Sequence, residues 1–252
     1  MKIHVLLRGQ HYLDDLSPWK HKFIKRDFLF IVRNFSHFFL QDLKKEHEVN
    51  VSVITWESPV QEVFYKFADN VQILPNSLFG KEGYRQFDLV AQGLQMIPEN
   101  DNAIVIIFRL DMICKKYITE WFDFTDEFDI VLPWRETSEE CWKDYFMDWK
   151  GRWSRHRVGD SFYFLRNRNN LLQKFKSIIQ VDPNDGHEIY DLLIENSFDV
   201  KFCVDGYFDS DTSKMTSQAD NPLFLLQRPY HHFIDEFELK LIDSFGEPLY
   251  GY

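Results

Sequence analysis

Phe108-Arg109-Leu110-Asp111 closes the longest apolar run of the chain, Ala103 to Phe108. A run that is apolar at every position reads as a strand covered on both faces. In an open parallel sheet, ligands bind outside the carboxyl ends of such strands. Arg109 and Asp111 stand two residues apart, so in extended chain both side chains point the same way. A carboxylate there can ligate Mg2+ or Mn2+, and the metal can clamp a diphosphate. A guanidinium there can add a forked contact to phosphate. The same two residues also suit a structural ion pair or a strand-end cap, and spacing alone does not decide between these roles.

The elements that must position this pair come from periodicity. Lys2 to Leu7 is short, apolar and branched, and predicts a buried first strand ending at Arg8-Gly9. A polar loop follows to about Lys20. Phe28, Ile31, Val32, Phe35, Phe39 and Leu43 recur three or four apart and predict one face of a long helix. Val49 to Thr55 predicts a second strand. Ser58-Pro59-Val60-Gln61 predicts a helix start, with Ser58 as cap and Gln61 completing a capping box. Val71 to Leu74 predicts a third strand, and Phe87, Val90, Ala91 and Leu94 a third helix that stops before Pro98. Strand and helix alternate up to Ala103–Phe108, which predicts parallel strands joined by right-handed crossovers. The second half is less regular. Strands are predicted at Phe128 to Leu132, Ser161 to Leu165 and Val200 to Val204. Helices are predicted at Leu171 to Ile179, Asp185 to Glu195 and Phe233 to Ile242. Trp134 to Arg157 reads as a loop-rich insertion with a little helix.

The totals exclude several classes. The chain has 252 residues, enough for one large domain. Its net charge of −11 repels nucleic acid and anionic membrane faces. The three cysteines, Cys114, Cys141 and Cys203, are isolated, which argues for free thiols rather than a disulfide framework or a zinc site. No apolar run is long enough to span a bilayer, and the first apolar stretch, interrupted by Arg8 and His11, does not predict a signal peptide. There is no GxGxxG, P-loop, HExxH or GxSxG. Sites built from carboxylates at strand ends remain. Asp209-Ser210-Asp211 is a literal DxD late in the chain, and reads from its setting as a polar turn.

Three β-α units followed by a buried strand ending in x-D-x-D is the layout of the nucleotide-sugar-dependent glycosyltransferases of the GT-A type, which this chain resembles over roughly its first 205 residues. Arg109 stands where that motif has its first acid, and Asp111 takes the second place. The resemblance implies that Asp111 carries the metal role and that Mn or Mg holds the donor diphosphate. It also implies nucleotide contacts at Leu7, Arg8 and Gly9, at the end of strand one, and at Arg85 on the third helix. A plain turn and a solvated helix charge are the alternatives at those positions. Asp209-Ser210-Asp211, His231 and His232 are candidates for completing the metal site. Gly159 to Arg166 is similar to the strand after the acceptor loop, and His187-Glu188 through Val200-Lys201-Phe202 to a stretch that carries the catalytic base. That match makes Glu188 the preferred base and Asp160 the second candidate. Glu188 also fits a capping box with Asp185, and Asp160 a turn beside Gly159. Trp134, Trp142, Trp149 and Trp153 form either a sugar platform or insertion packing.

The sequence expectation is an α/β chain with a GT-A-like, mostly parallel central sheet flanked by helices. A single domain spans residues 1–252, with a Rossmann-like nucleotide-sugar-binding half over 1–111 and a mixed acceptor half and tail over 112–252. The expected activity is cytoplasmic, metal-assisted sugar transfer from a nucleotide-sugar donor to a glycan or other hydroxyl acceptor. The alternative is a degenerate GT-A-like module that binds a glycan or a partner without chemistry. Donor sugar, acceptor, stereochemistry and oligomeric state stay open.

Overall fold

The computed structural model describes residues 1–9, 28–79, 81–136, 142, 146–147, 153–154, 156–181, 186–208 and 223–226. Within them, seven strands form the main sheet, in the order β11-β6-β10-β4-β1-β2-β3. Their ranges are β1 Lys2–Arg8, β2 Glu48–Trp56, β3 Asn70–Leu74, β4 Ile104–Arg109, β6 Ile130–Leu132, β10 Phe162–Arg166 and β11 Val200–Phe202. β1 pairs in parallel with β2 and β4, β2 with β3, and β11 with β6. β10 runs antiparallel between β4 and β6. The expected class is therefore observed: a mostly parallel sheet with a mixed second half.

Side-chain alternation feeds two apolar layers. Ile3, Val5 and Leu7 of β1 join Val51, Val53, Ile104, Ile106, Phe108, Phe162 and Phe164 on one face. That face is covered by α1 (Phe28–Phe35), its continuation through π-helical Ser36–Leu40, and α2 (Gln41–Leu43). Leu6, Ile54, Val105, Ile107, Tyr163 and Leu165 face the other way. They meet α3 (Gln86–Gly93), α4 (Leu171–Val181) and α5 (Ile189–Glu195). Rings dominate the first layer. Phe35 stacks on Phe39 at 4.8 Å, and Phe39 meets Phe108 at 4.7 Å. Each fully buried Phe contributes about 1.5–3 kcal/mol.

Two expected helices differ in kind. The segment after Ser58 is a 3-10 helix, Gln61–Lys66, not an α-helix. Only half of the expected capping box forms: the Ser58 N–H donates to Gln61 Oε1 at 3.0 Å, but Ser58 Oγ accepts from the Val60 N–H at 3.2 Å, and the helix cap is Val60, without a side-chain cap. Only Phe64 is buried there, so little apolar surface rewards a longer helix. The long first helix carries its buried Ile31, Phe35, Phe39 and Leu43 as expected, but with a π-helical stretch in its middle.

The remaining strands are short. β5 (Met112–Cys114) pairs antiparallel with β13 (Phe224–Leu226), and β7 (Arg135–Glu136) runs parallel to β12 (Tyr207–Phe208). β8 (Phe146–Met147) and β9 (Trp153–Ser154) form an antiparallel pair inside the expected loop-rich insertion. Cys114 and Cys203 are free thiols, both pushed up by burial; Cys141 lies outside the described residues. Among the described residues, no helix is long and apolar enough to cross a membrane.

Candidate active site

From β1 the chain first builds outward through β2 and β3, and then returns to place β4 on the other side of β1. The β1/β4 boundary is thus a topological switch point, the place where open α/β sheets bind ligands. Arg8 and Arg109 are the last residues of these two strands and are paired in register. Backbone bonds tie the rim together. The Leu110 N–H donates to the Arg8 carbonyl at 3.0 Å, and the Arg109 N–H to the Ser161 carbonyl at 3.1 Å. Because β10 is antiparallel to β4, its leading residues Asp160 and Ser161 arrive at this same rim.

Arg109 bridges two carboxylates. Its Nε and Nη2 donate to Asp111 Oδ1 and Oδ2 at 2.9 and 2.7 Å. Its Nη1 donates to Asp160 Oδ1 and Oδ2 at 3.0 and 3.1 Å. Burial opposes the Arg109 charge, but Asp111 and then Asp160 outweigh it and raise the group above its ordinary range. Burial also penalises ionised Asp160, yet Arg109, His187, Arg8 and Gln86 together hold it far below the usual carboxylate range. Arg8 is 2% exposed and donates through Nη2 to the Asp160 carbonyl. Its buried Nε–H has no hydrogen-bond acceptor among the described residues. Burial, followed by the neighbouring Arg109, lowers the Arg8 pKa.

A second layer of charge lies beyond Asp160. Gln86, at the start of α3, donates its amide to Asp160 Oδ2. His187 Nε2 stands 3.8 Å from the same oxygen. His187 Nδ1 lies 3.0 Å from the Val158 carbonyl and 2.7 Å from Glu136 Oε1. A carbonyl only accepts, so Nδ1 carries a proton. The Glu136 side chain is 1% exposed, and its oxygens make charge contacts without well-aligned hydrogen bonds. Burial lowers the His187 pKa, but Glu136 and Asp160 outweigh it and push the ring up to about 9, against a smaller opposing effect from Arg157. Arg157 lies 3.5 Å from both Glu136 Oε2 and Glu188 Oε1.

The structure brings Arg8, Arg109, Asp111 and Asp160 into direct contact, and links Glu188 to them through Arg157, Glu136 and His187. Glu188 ends a 3-10 turn before α5, makes no capping bond there, and has a side chain 21% exposed. Asp111 differs from the open, pocket-facing position expected of it. It stands at the rim, but its side chain is 5% exposed and both its oxygens are engaged by Arg109. The structural ion pair allowed by the spacing is thus present. The expected phosphate fork of Arg109 is likewise engaged by carboxylates. Leu7 is a core residue, 1% exposed. Gly9 sits at φ +101°, with its carbonyl accepting from Thr55 Oγ1 at 2.7 Å. Arg85 is exposed at the start of α3, and its backbone N–H is capped by Asp88 at 2.9 Å; its neighbour Gln86 is the residue that reaches the cluster. Trp134 packs beside Gly159, and Trp142 among His156, Tyr190 and Phe202, so both serve insertion packing. Trp149, Asp185, Asp209-Ser210-Asp211, His231, His232 and the expected helix at Phe233 to Ile242 lie outside the described residues, as does the Trp153 side chain.

Sequence reasoning did not single out Gln86, Glu136, Arg157 or His187 for this cluster. The available signal was adjacency, since Gln86 and His187 directly neighbour the candidates Arg85 and Glu188.

Among the described residues, no group of three or more His, Cys, Asp or Glu suits a metal ion. A divalent ion on the Asp111 and Asp160 oxygens would share them with the Arg109 guanidinium. All four oxygens are already engaged by the guanidinium nitrogens, which a divalent ion would have to displace. The residues present therefore fit a guanidinium between two carboxylates, and do not fit a divalent ion in the same place.

No family model matches the sequence, and no curated protein matches it. Solved structures do. The inositol-1-phosphate CTP transferase from T. maritima aligns with TM-score 0.52 and 10% identity, over 96% of this chain and 96% of that one. A protein from Desulfovibrio desulfuricans G20, provisionally named a nucleotide-diphospho-sugar transferase, aligns at 0.49 and 10% identity over 97% of both chains. The nucleoside-diphosphate-sugar pyrophosphorylase from Vibrio cholerae RC9 aligns at 0.48 and 13%, over 82% of this chain and 92% of that one. At such identities the likeness extends to the fold alone, and it does not single out glycosyltransferases. The chain has an α/β fold similar to that of the T. maritima inositol-1-phosphate CTP transferase, with its β1/β4 switch point marked by Arg8 and Arg109.

Proposed function

We propose that the chain is a transferase that moves a sugar from a nucleoside diphosphate sugar to an acceptor hydroxyl. The observation that carries this reading is the pair of guanidiniums at the switch point, one of them with a buried N–H that has no acceptor among the described residues. A diphosphate leaving group develops negative charge as the bond from the sugar C1 to its oxygen breaks. Fixed cations aimed at that charge stabilise the transition state. Arg8 and Arg109 take this role, with Gly9 letting the backbone approach the nucleotide. The T. maritima neighbour is named a CTP transferase, which is consistent with a nucleotide on this fold.

The acceptor oxygen forms the new bond to C1 and must lose its proton. Of the two candidate bases, Glu188 suits the task better, because its carboxylate reaches solvent. Asp160 is held by Arg109 and so far below the usual range that it accepts a proton poorly. In this reading residues 1–111 bind the donor and 112–252 the acceptor, within one domain.

A second reading has a specific observation in its favour. Arg109 engages both oxygens of Asp111, the residue on which the expected metal role rests, as in a binding module that has lost its chemistry. Turnover of a panel of nucleotide sugars, with wild type and Glu188→Gln, decides between the two. Transfer by the wild type, reduced about 10²–10⁴-fold in the variant, supports the enzyme. Nucleotide binding without turnover of any donor supports the module.

A further inference from the structure

We propose that the Arg109 guanidinium is a built-in cation in the place a divalent metal would take, so that the rim accepts a nucleoside diphosphate without Mn2+ or Mg2+. The proposal rests on the reading that the rim binds such a ligand.

Asp111 and Asp160 have side chains only 5% and 7% exposed. Two carboxylates this buried and this close to one centre need a cation between them. Arg109 supplies it with all three guanidinium nitrogens: Nε and Nη2 hold the two oxygens of Asp111, and Nη1 those of Asp160. The planar fork thus presents one edge to each acid, as a bridging ion would. Unlike an ion, it is tethered to the end of β4 and does not dissociate. Arg8, bonded to the Asp160 carbonyl, and His187, 3.8 Å from Asp160 Oδ2, add positive charge beside it. A divalent ion entering here would meet three cations and no carboxylate oxygen of Asp111 or Asp160 beyond those Arg109 already holds. An incoming diphosphate would compete with Asp111 and Asp160 for Arg109 and gain a charge-assisted bond from Arg8, whose Nε–H meets no acceptor among the described residues.

Removing the tethered charge should uncover a metal site. Mn2+ is titrated into wild type, Arg109→Gln and Arg109→Lys, with the free-ion electron paramagnetic resonance signal as readout. Circular dichroism confirms that each protein is folded. Arg109→Gln is expected to bind Mn2+ about tenfold or more tighter than wild type, and to lose that gain when Asp111→Asn is added. Arg109→Lys keeps the charge and is expected to behave as wild type. In parallel, uridine and guanosine diphosphates are titrated into wild type in EDTA and in Mn2+, with unchanged affinity expected. Mn2+ bound by wild type as tightly as by Arg109→Gln, and released by Asp111→Asn, overturns the proposal. So does nucleotide binding that requires Mn2+. Should Arg109→Gln not fold, the two wild-type titrations decide alone. Absence of nucleotide binding under both conditions instead defeats the functional reading, while the Mn2+ titrations still decide the role of Arg109.

Discussion

Exchanging His187 for Gln deletes a cation held between Glu136 at 2.7 Å and Asp160 at 3.8 Å. Burial disfavours its charge, but the two carboxylates prevail over burial and over Arg157, and push the ring from 6.5 up to about 9. Between those values the folded chain binds a proton that the unfolded chain releases. The stability this contributes is complete below 6.5 and is lost as the pH rises through 9. Moving the ionisation that far corresponds to at most about 3 kcal/mol. The imidazole is 26% exposed, so screening by water leaves about 1–2 kcal/mol of it. Urea unfolding from about pH 6 to about pH 9.5 reads the effect as a fall in stability in wild type that is missing from His187→Gln. NMR titration of the ring gives an independent value. Parallel stability profiles for the two proteins, or a ring that titrates at or below its ordinary 6.5, would refute the reasoning.

Other consequences follow from the same contacts. Asp160→Asn leaves Arg109 and Arg8 short of a buried counter-charge, and is expected to cost about 3–5 kcal/mol, read as a lowered urea midpoint. Gly159→Ala would set a methyl group 2.8 Å from the buried Trp134 ring; overpacking of that kind costs about 1–3 kcal/mol and should lower Tm without altering nucleotide affinity.

Local patterns carried most of the fold. The unbroken run at Ala103–Phe108 marks β4, which lies between β1 and β10 and is buried on both faces. The alternation before it gives the parallel order, and Ser58 with Gln61 gives the turn that opens the segment after β2. The kind of helix was not legible there, because Val60, Val63 and Phe67 fit a 3-10 turn as well as an α-helix. The site was only partly legible. Arg109 and Asp111 are near neighbours in sequence, so their pairing can be read from spacing. The contacts that complete the cluster join Arg8, Gln86 and Arg109 to Asp160 across 152, 74 and 51 positions. No local period encodes such distances. Glu136 and Arg157 sit in the aperiodic insertion, where side-chain direction cannot be inferred without the strand register. The two described Trp side chains of that segment looked equally suited to sugar stacking and to packing, because ring chemistry alone does not distinguish the two.

The central claim is that the switch point holds a nucleoside diphosphate against Arg8 and Arg109. Calorimetric titration of uridine and guanosine diphosphates into wild type and Arg8→Met tests it most directly. At least one nucleotide is expected to bind the wild type, and to bind the variant about tenfold or more weakly. Binding of neither nucleotide by a folded wild type, with or without Mn2+, or equal affinity in Arg8→Met, contradicts it.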